Sequence, residues 1–151
     1  MPDGRETIYG IIDCGECVGV LPFVDPQHVL LVGQYRYVAQ RFVWEMPTGG
    51  VRNGEALEAA AQRELAEEAG LTAGRLTWIS TYNPSKSVMN ETAHLYLGED
   101  LRPADRLPDS TEFFERQVFS FQEALQMVRR AEIVDSMTVI ALLLAAMLRG
   151  G

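Results

Sequence analysis

Glu64, Glu67 and Glu68 fall close together in a segment, residues 56–69, made almost wholly of strong helix formers. At about 100° per residue, Glu64 and Glu68 stand about 40° apart on the helical wheel, one turn above the other, with Glu67 on the adjacent edge. Like charges at this spacing cost only a few tenths of a kcal/mol on a solvated face. Position gives them weight: Leu57, Ala61 and Leu65 form the apolar stripe, and Glu64 and Glu68 lie on or beside it. Carboxylates near a buried face require a partner. Arg63 pairs with one of them and cannot neutralise three. Hard oxygen donors on one helical face, preceded by the Gly-rich run Pro47-Thr48-Gly49-Gly50, suit Mg²⁺ or Mn²⁺.

The charge balance leads to the same ion. The 151 residues carry 13 Lys+Arg against 21 Asp+Glu, a formal net charge of −8. An acidic chain without a local basic cluster repels nucleic-acid backbones and anionic lipid, so neither nucleic acid nor membrane is expected as a partner. An anionic substrate such as a phosphate ester then needs a divalent cation to bridge two negative partners. The longest apolar run, residues 139–148, is half of what a membrane span requires and reads as a buried helix. The amino-terminal residues lack a basic segment followed by an apolar stretch, which predicts a cytoplasmic protein. Cys14 and Cys17 form a lone Cys-x-x-Cys without a second pair, read as two small residues flanking a Gly15-Glu16 turn.

Gly49, five residues, Glu55, seven residues, then Arg63-Glu64-Leu65-Ala66-Glu67-Glu68-Ala69-Gly70-Leu71 resembles the Nudix box at every specified position. Nine restricted positions, each met by chance about one time in ten, make an accidental match on the order of one in a billion. The resemblance implies an α+β chain with the Nudix fold, an α/β/α sandwich around a mixed β-sheet. It also implies metal-dependent hydrolysis of a nucleoside diphosphate linked to another moiety. Glu64, Glu67 and Glu68 match the metal-coordinating positions, with Glu64 and Glu68 as the direct ligands. Arg63 matches the Arg that holds these acids, Glu55 the acid at the helix start, and the Thr48 carbonyl a further metal ligand. The catalytic set implied is Glu64, Glu67, Glu68 and Arg63, with the proton acceptor in the box or in a later loop, where Glu112 resembles the loop acid of the ADP-ribose branch.

Outside the box, Gln34-Tyr35-Arg36-Tyr37 and Trp44-Glu45-Met46-Pro47-Thr48-Gly49-Gly50 resemble the ADP-ribose and nucleoside-diphosphate-sugar pyrophosphatases, with Thr48 in place of the usual Ala. The implied substrate roles are Arg36 on a phosphate, Tyr35 or Tyr37 stacked on a base, Glu45 accepting from a ribose or base donor, and Pro84 in the following loop. The expected partner is a nucleoside-diphosphate-linked small molecule. A broader nucleotide hydrolase and a catalytically silent nucleotide-binding sensor are the alternatives. The branch also implies a homodimer, here through residues 1–16.

These residues need a scaffold to position them. Residues 7–13 and 17–24 read as a hairpin, and residues 28–34 as a third strand. Residues 47–50 read as a loop, because Pro and paired Gly suit neither a helix nor a central strand. Gly70 is placed to close the helix of residues 56–69. Strands are expected over 76–82, 92–96 and 117–121, joined by loops at 83–91 and 102–109, then helices over 122–130 and 135–148. One domain, residues 1–151, follows from the length and the lack of a linker.

Overall fold

Period-two alternation along three strands decides the architecture. In the computed structural model, which describes residues 4, 6, 8–85, 87–105 and 115–150, strands β1 (Ile12–Asp25), β2 (His28–Arg36) and β6 (Met89–Pro103) lie at the centre of the fold. Leu21, Phe23, Val29, Leu31, Leu95 and Leu97 face one side, where they pack with Met46 and with helices α2 (Phe121–Arg129) and α3 (Ser136–Arg149). Val18, Val20, Leu30, Val32 and Tyr96 face the other, against Ala60, Ala61 and Leu65 of the segment that begins as α1 (Leu57–Glu64). A sheet filled on both faces is thus sandwiched between helices. Leu21, Leu31, Leu95 and Leu142 are fully buried, each worth about 1.5–3 kcal/mol of transfer free energy.

The sheet is mixed. Its order is β3-β2-β1-β6-β5, with β3 at Arg41–Glu45 and β5 at Leu71–Tyr82; β4 (Thr48–Gly50) pairs with β1, and β7 (Glu115–Ser120) with β2. Among the described residues only β1 and β6 run parallel, from Ile12 opposite Met89 to Pro22 opposite Gly98, with one register shift between Asp13 and Gly15. That pairing joins segments far apart in sequence and brings the amino-terminal strand to the middle of the molecule.

Three elements differ from the sequence reading. The expected hairpin of residues 7–13 and 17–24 is absent among the described residues: 12–25 form a single strand, in which Gly15, at φ +74°, sits at a register shift rather than in a reversing turn. The bulge here places residue 15 in the left-handed conformation that glycine adopts without a Cβ penalty, and β6 supplies a continuous partner on either side of it. Residues 48–50 form a short edge strand rather than a loop, antiparallel to Cys17, Val18 and Gly19; Pro47 stays outside the ladder, and its carbonyl accepts from Val20 N–H at 3.0 Å. The helix expected over 56–69 is α-helical only to Glu64, and Leu65–Ala69 form a π-helical turn. Gly70, left-handed at φ +70°, closes that turn by donating to the carbonyls of both Leu65 and Ala66.

Strands β5 and β6 run beyond the expected 76–82 and 92–96, because each supplies the other's hydrogen bonds from Leu71 opposite Pro103 onward. The last two helices are capped as their sequences suggest: Ser120 accepts from Glu123 N–H at 3.1 Å and Asp135 from Thr138 N–H at 2.8 Å. The Thr138 hydroxyl in turn accepts from Met46 N–H at 3.0 Å, fixing α3 to the corner that leads into Pro47. Among the described residues no helix is long and apolar enough to cross a membrane.

Candidate active site

Arg63 organises the acids of α1 and the π turn. Its Nε and Nη2 donate to the two oxygens of Glu55, each at 2.9 Å, and Nη2 also donates to the Gly50 carbonyl at 2.9 Å. Nη1 donates to Glu67 Oε2 at 3.1 Å and to Glu64 Oε1. One planar guanidinium therefore fixes the pre-helix turn, strand β4 and two of the three clustered acids, a task suited to its rigid fork of donors. Glu55 is spent on this pairing and on Arg52 N–H at 3.0 Å, and no side chain caps the start of α1 at Ala56. The Arg63 guanidinium, with the Arg52 amide, holds the Glu55 carboxyl down at about 2. The surrounding carboxylates push the pKa of Arg63 above its usual value.

Glu64 and Glu68 are both buried, 9% and 8% exposed, whereas Glu67 is more open and also meets Arg52 Nη2 at 3.4 Å. Burial raises the pKa of Glu64, opposed by the hydrogen bond and charge of Arg63. Glu68 Oε2 accepts from Thr48 N–H at 3.0 Å, and the Glu68 carbonyl accepts from Arg116 Nε of β7 at 2.8 Å. Thr48 thus touches a box acid through its amide. Glu64, Glu68, Thr48, Gly49 and Arg36 all line one open cleft of about 410 Å³.

The other expected residues are placed as follows. Arg36 donates through Nε to both oxygens of Glu45 at 3.0 Å and through Nη2 to Oε2, and this pairing raises its pKa. Glu45 is buried and meets the cleft only by way of Arg36. Tyr35 and Tyr37 are exposed near the β2–β3 turn and do not line the cleft. Pro84 is exposed beside Asn83 and Ser85, which line a second cavity of about 460 Å³. Glu112 lies outside the described residues.

The sequence reading missed the remaining walls of the cleft: Glu16 and Cys17 from β1, Cys14 beside the bulge, Gln34 from β2, Glu91 from β6 and Met137 from α3. Apart from Cys14, Glu16 and Cys17, which are neighbours on β1, no local spacing links them, and β1, β2, β6 and α3 converge only in the fold. Cys14 and Cys17 are free thiols on one strand. Burial, reinforced by Glu91, pushes the Cys17 thiol up to about 12, so it stays protonated and is a poor metal ligand.

The fit to a hard divalent cation rests on the donor chemistry. Two buried carboxylates share one cleft wall, and the single arginine that meets Glu64 is also divided among Glu55, Glu67 and the Gly50 carbonyl. Among the described residues no three acidic, His or Cys side chains already converge as a closed cage. An open oxygen set that leaves positions for water and substrate phosphates is the arrangement Mg²⁺ favours.

Comparison with known proteins bears on the family of the chain. Residues 15–137 match the model of the NUDIX domain. The chain is 33% identical over 144 residues to an ADP-ribose pyrophosphatase of Bacillus subtilis (strain 168), covering 94% of this chain and 78% of that protein. It is 29% identical over 143 residues to a methanol dehydrogenase activator of Bacillus methanolicus, covering 93% and 77%. A crystal structure of an ADP compounds hydrolase superposes with a TM-score of 0.81 at 25% identity, covering 89% of this chain and 73% of the other.

Proposed function

This chain belongs to the Nudix family of hydrolases, and from that membership we propose that it splits the pyrophosphate bond of ADP-ribose or a related nucleoside-diphosphate sugar, giving a nucleoside monophosphate and a sugar phosphate. The observation that carries the reading is the shared cleft of Glu64, Glu68 and Arg36, with Arg63 holding the box acids from behind. Similarity to the ADP-ribose pyrophosphatase and to the ADP compounds hydrolase favours this substrate class over nucleoside triphosphates. The intact set of acids favours turnover over silent binding.

Glu64 and Glu68, with Glu67 and the Thr48 carbonyl, would hold Mg²⁺ or Mn²⁺. The chemistry such a cation would supply is withdrawal of charge from the pyrophosphate and activation of water for attack. Arg36, held in plane by Glu45, binds a phosphate oxygen. A box glutamate or Glu112 accepts the proton of the attacking water. Tyr35 and Tyr37 are exposed on the β2–β3 hairpin outside the cleft, so their stacking on the base requires the nucleoside to extend past the cleft rim, and Pro84 would border the substrate from the second cavity, which shares Glu91 with the cleft.

The protein acts as a single cytoplasmic domain that pairs as a homodimer. Ile8, Tyr9, Ile11 and Ile12 form an exposed apolar run, which supports pairing through the amino-terminal segment. Light scattering at micromolar concentration gives twice the monomer mass on this reading; the monomer mass removes the dimer.

The experiment for the activity is product analysis. Incubation with Mg²⁺ and a panel of nucleoside-diphosphate sugars, nucleoside triphosphates and dinucleotides, resolved by anion-exchange chromatography, is expected to yield AMP and ribose 5-phosphate from ADP-ribose fastest. Turnover of triphosphates alone would favour the broader hydrolase. Binding without products would favour the sensor.

A further inference from the structure

A hydrogen-bonded chain of four side chains ends in the cleft, away from the box acids. Glu16 of β1 is half-exposed there. Its Oε1 lies 3.1 Å from Nε2 of His94, a buried residue of β6. His94 Nδ1 lies 3.0 Å from the Thr81 hydroxyl of β5, which accepts the indole N–H of Trp78 at 3.1 Å. Register places them together, with Glu16 opposite Thr92 and Thr81 opposite His94. A carboxylate only accepts, so the proton facing Glu16 sits on Nε2; in the neutral ring Nδ1 then accepts from Thr81. The chain fixes the imidazole plane and, through it, one oxygen of Glu16.

Hydrogen-bond acceptors dominate this wall. Glu91 lies beside Glu16 and interacts with the Cys17 thiol. Gln34 Oε1 is a buried oxygen of the same cleft with no partner among the described residues. A buried acceptor left unpaired costs free energy that a donor on a ligand restores. A diphosphate is repelled here, whereas a hydroxyl-bearing sugar is complementary.

We infer that Glu16, held by His94, sets specificity by accepting a hydrogen bond from a ribose hydroxyl of the bound nucleoside-diphosphate sugar. His94 is the positioning residue, and Thr81 and Trp78 steady it. The inference rests on the hydrolase reading above and adds to it the residue that reads the sugar.

The test measures kcat and KM with Mg²⁺ on ADP-ribose and on analogues lacking one hydroxyl, either on the adenosine-side ribose or on the terminal one. The proteins are wild type, Glu16→Leu, His94→Phe and His94→Gln. Wild type is expected to prefer ADP-ribose over one analogue by about tenfold in kcat/KM, the scale of a hydrogen bond to a charged group, and the analogue that loses shows which ribose is read. Glu16→Leu, which has no acceptor, lowers kcat/KM for ADP-ribose about tenfold through KM and erases the preference. His94→Phe does the same, and His94→Gln, which keeps an N–H donor, restores most of it. Should His94→Phe fail to fold, the half-exposed Glu16 variant decides alone. A preference that survives in Glu16→Leu, or is absent from wild type, overturns the inference and leaves the hydrolase standing. A lowered Tm with the preference intact in His94→Phe makes that residue structural. Wild type inert on every nucleoside-diphosphate sugar overturns the hydrolase reading, and the inference falls with it.

Discussion

Gly49 lies directly against the carboxylate of Glu64: a Cβ on residue 49 would stand 2.1 Å from Cδ and 2.2 and 2.4 Å from the two oxygens. The glycine that opens the box is therefore required by close approach, so that strand β4 and the helix can bring backbone and acid together. Gly49→Ala must displace the Glu64 side chain. Activity is expected to fall at least about a hundredfold, the scale of a misplacement near 1 Å, while circular dichroism still reports a folded chain. Unchanged activity would mean that the position of Glu64 does not matter.

Arg63→Lys tests the hub. A lysine is a point charge and cannot bond both Glu55 oxygens while reaching Glu64, Glu67 and the Gly50 carbonyl. The variant is expected to lose several degrees in Tm and at least about a hundredfold in kcat, the buried Glu64 being left poorly paired. Retention of both values would show that the acids hold their own positions.

Acid stability follows from Glu55. Its carboxyl is held at about 2 in the folded chain, against 4.5 as its ordinary value. A depressed carboxylate contributes stability that is fully present above about 4.5 and is lost as the pH falls toward 2. Chemical denaturation across that window is expected to give a shallower pH dependence for Glu55→Gln than for wild type. Parallel curves would place the acid sensitivity elsewhere.

Arg36 and Glu45 work as a unit, because the carboxylate takes the Nε and Nη2 donors and fixes the guanidinium plane at the cleft. Arg36→Ala is expected to raise KM about tenfold with a small change in kcat, and Glu45→Gln to move KM the same way by a smaller factor. A fall in Tm with unchanged kinetics in both variants would make the pair purely structural.

The legible half of the site is the half written locally. Helical spacing places Glu64 and Glu68 on one wall, Gly70 ends their segment, and the Arg63 pairing with Glu64 and Glu67 follows from neighbours one and four residues on. The other wall was invisible for a physical reason. Glu16, Gln34 and Glu91 sit on three strands whose alignment depends on long-range pairing, and a half-exposed acid in a strand looks like any solvated one. Gly15 misled in a related way: the same left-handed conformation serves a reversing turn and a bulge, and only the continuous partner β6 selects the bulge. The π turn at Leu65–Ala69 left no trace in composition, because Ala, Leu and Glu favour an α-helix; it arises where Gly70 closes the segment.

The central claim is that the acids of α1 and the π turn hold the ion that makes pyrophosphate hydrolysable. The most direct measurement is ADP-ribose hydrolysis with saturating Mg²⁺ by wild type and Glu68→Gln, with calorimetric Mn²⁺ titration of both proteins. Rate and cation affinity are predicted to fall together in the variant, the rate by about a thousandfold or more. Equal rates, or Mn²⁺ bound with equal affinity by both proteins, would contradict it.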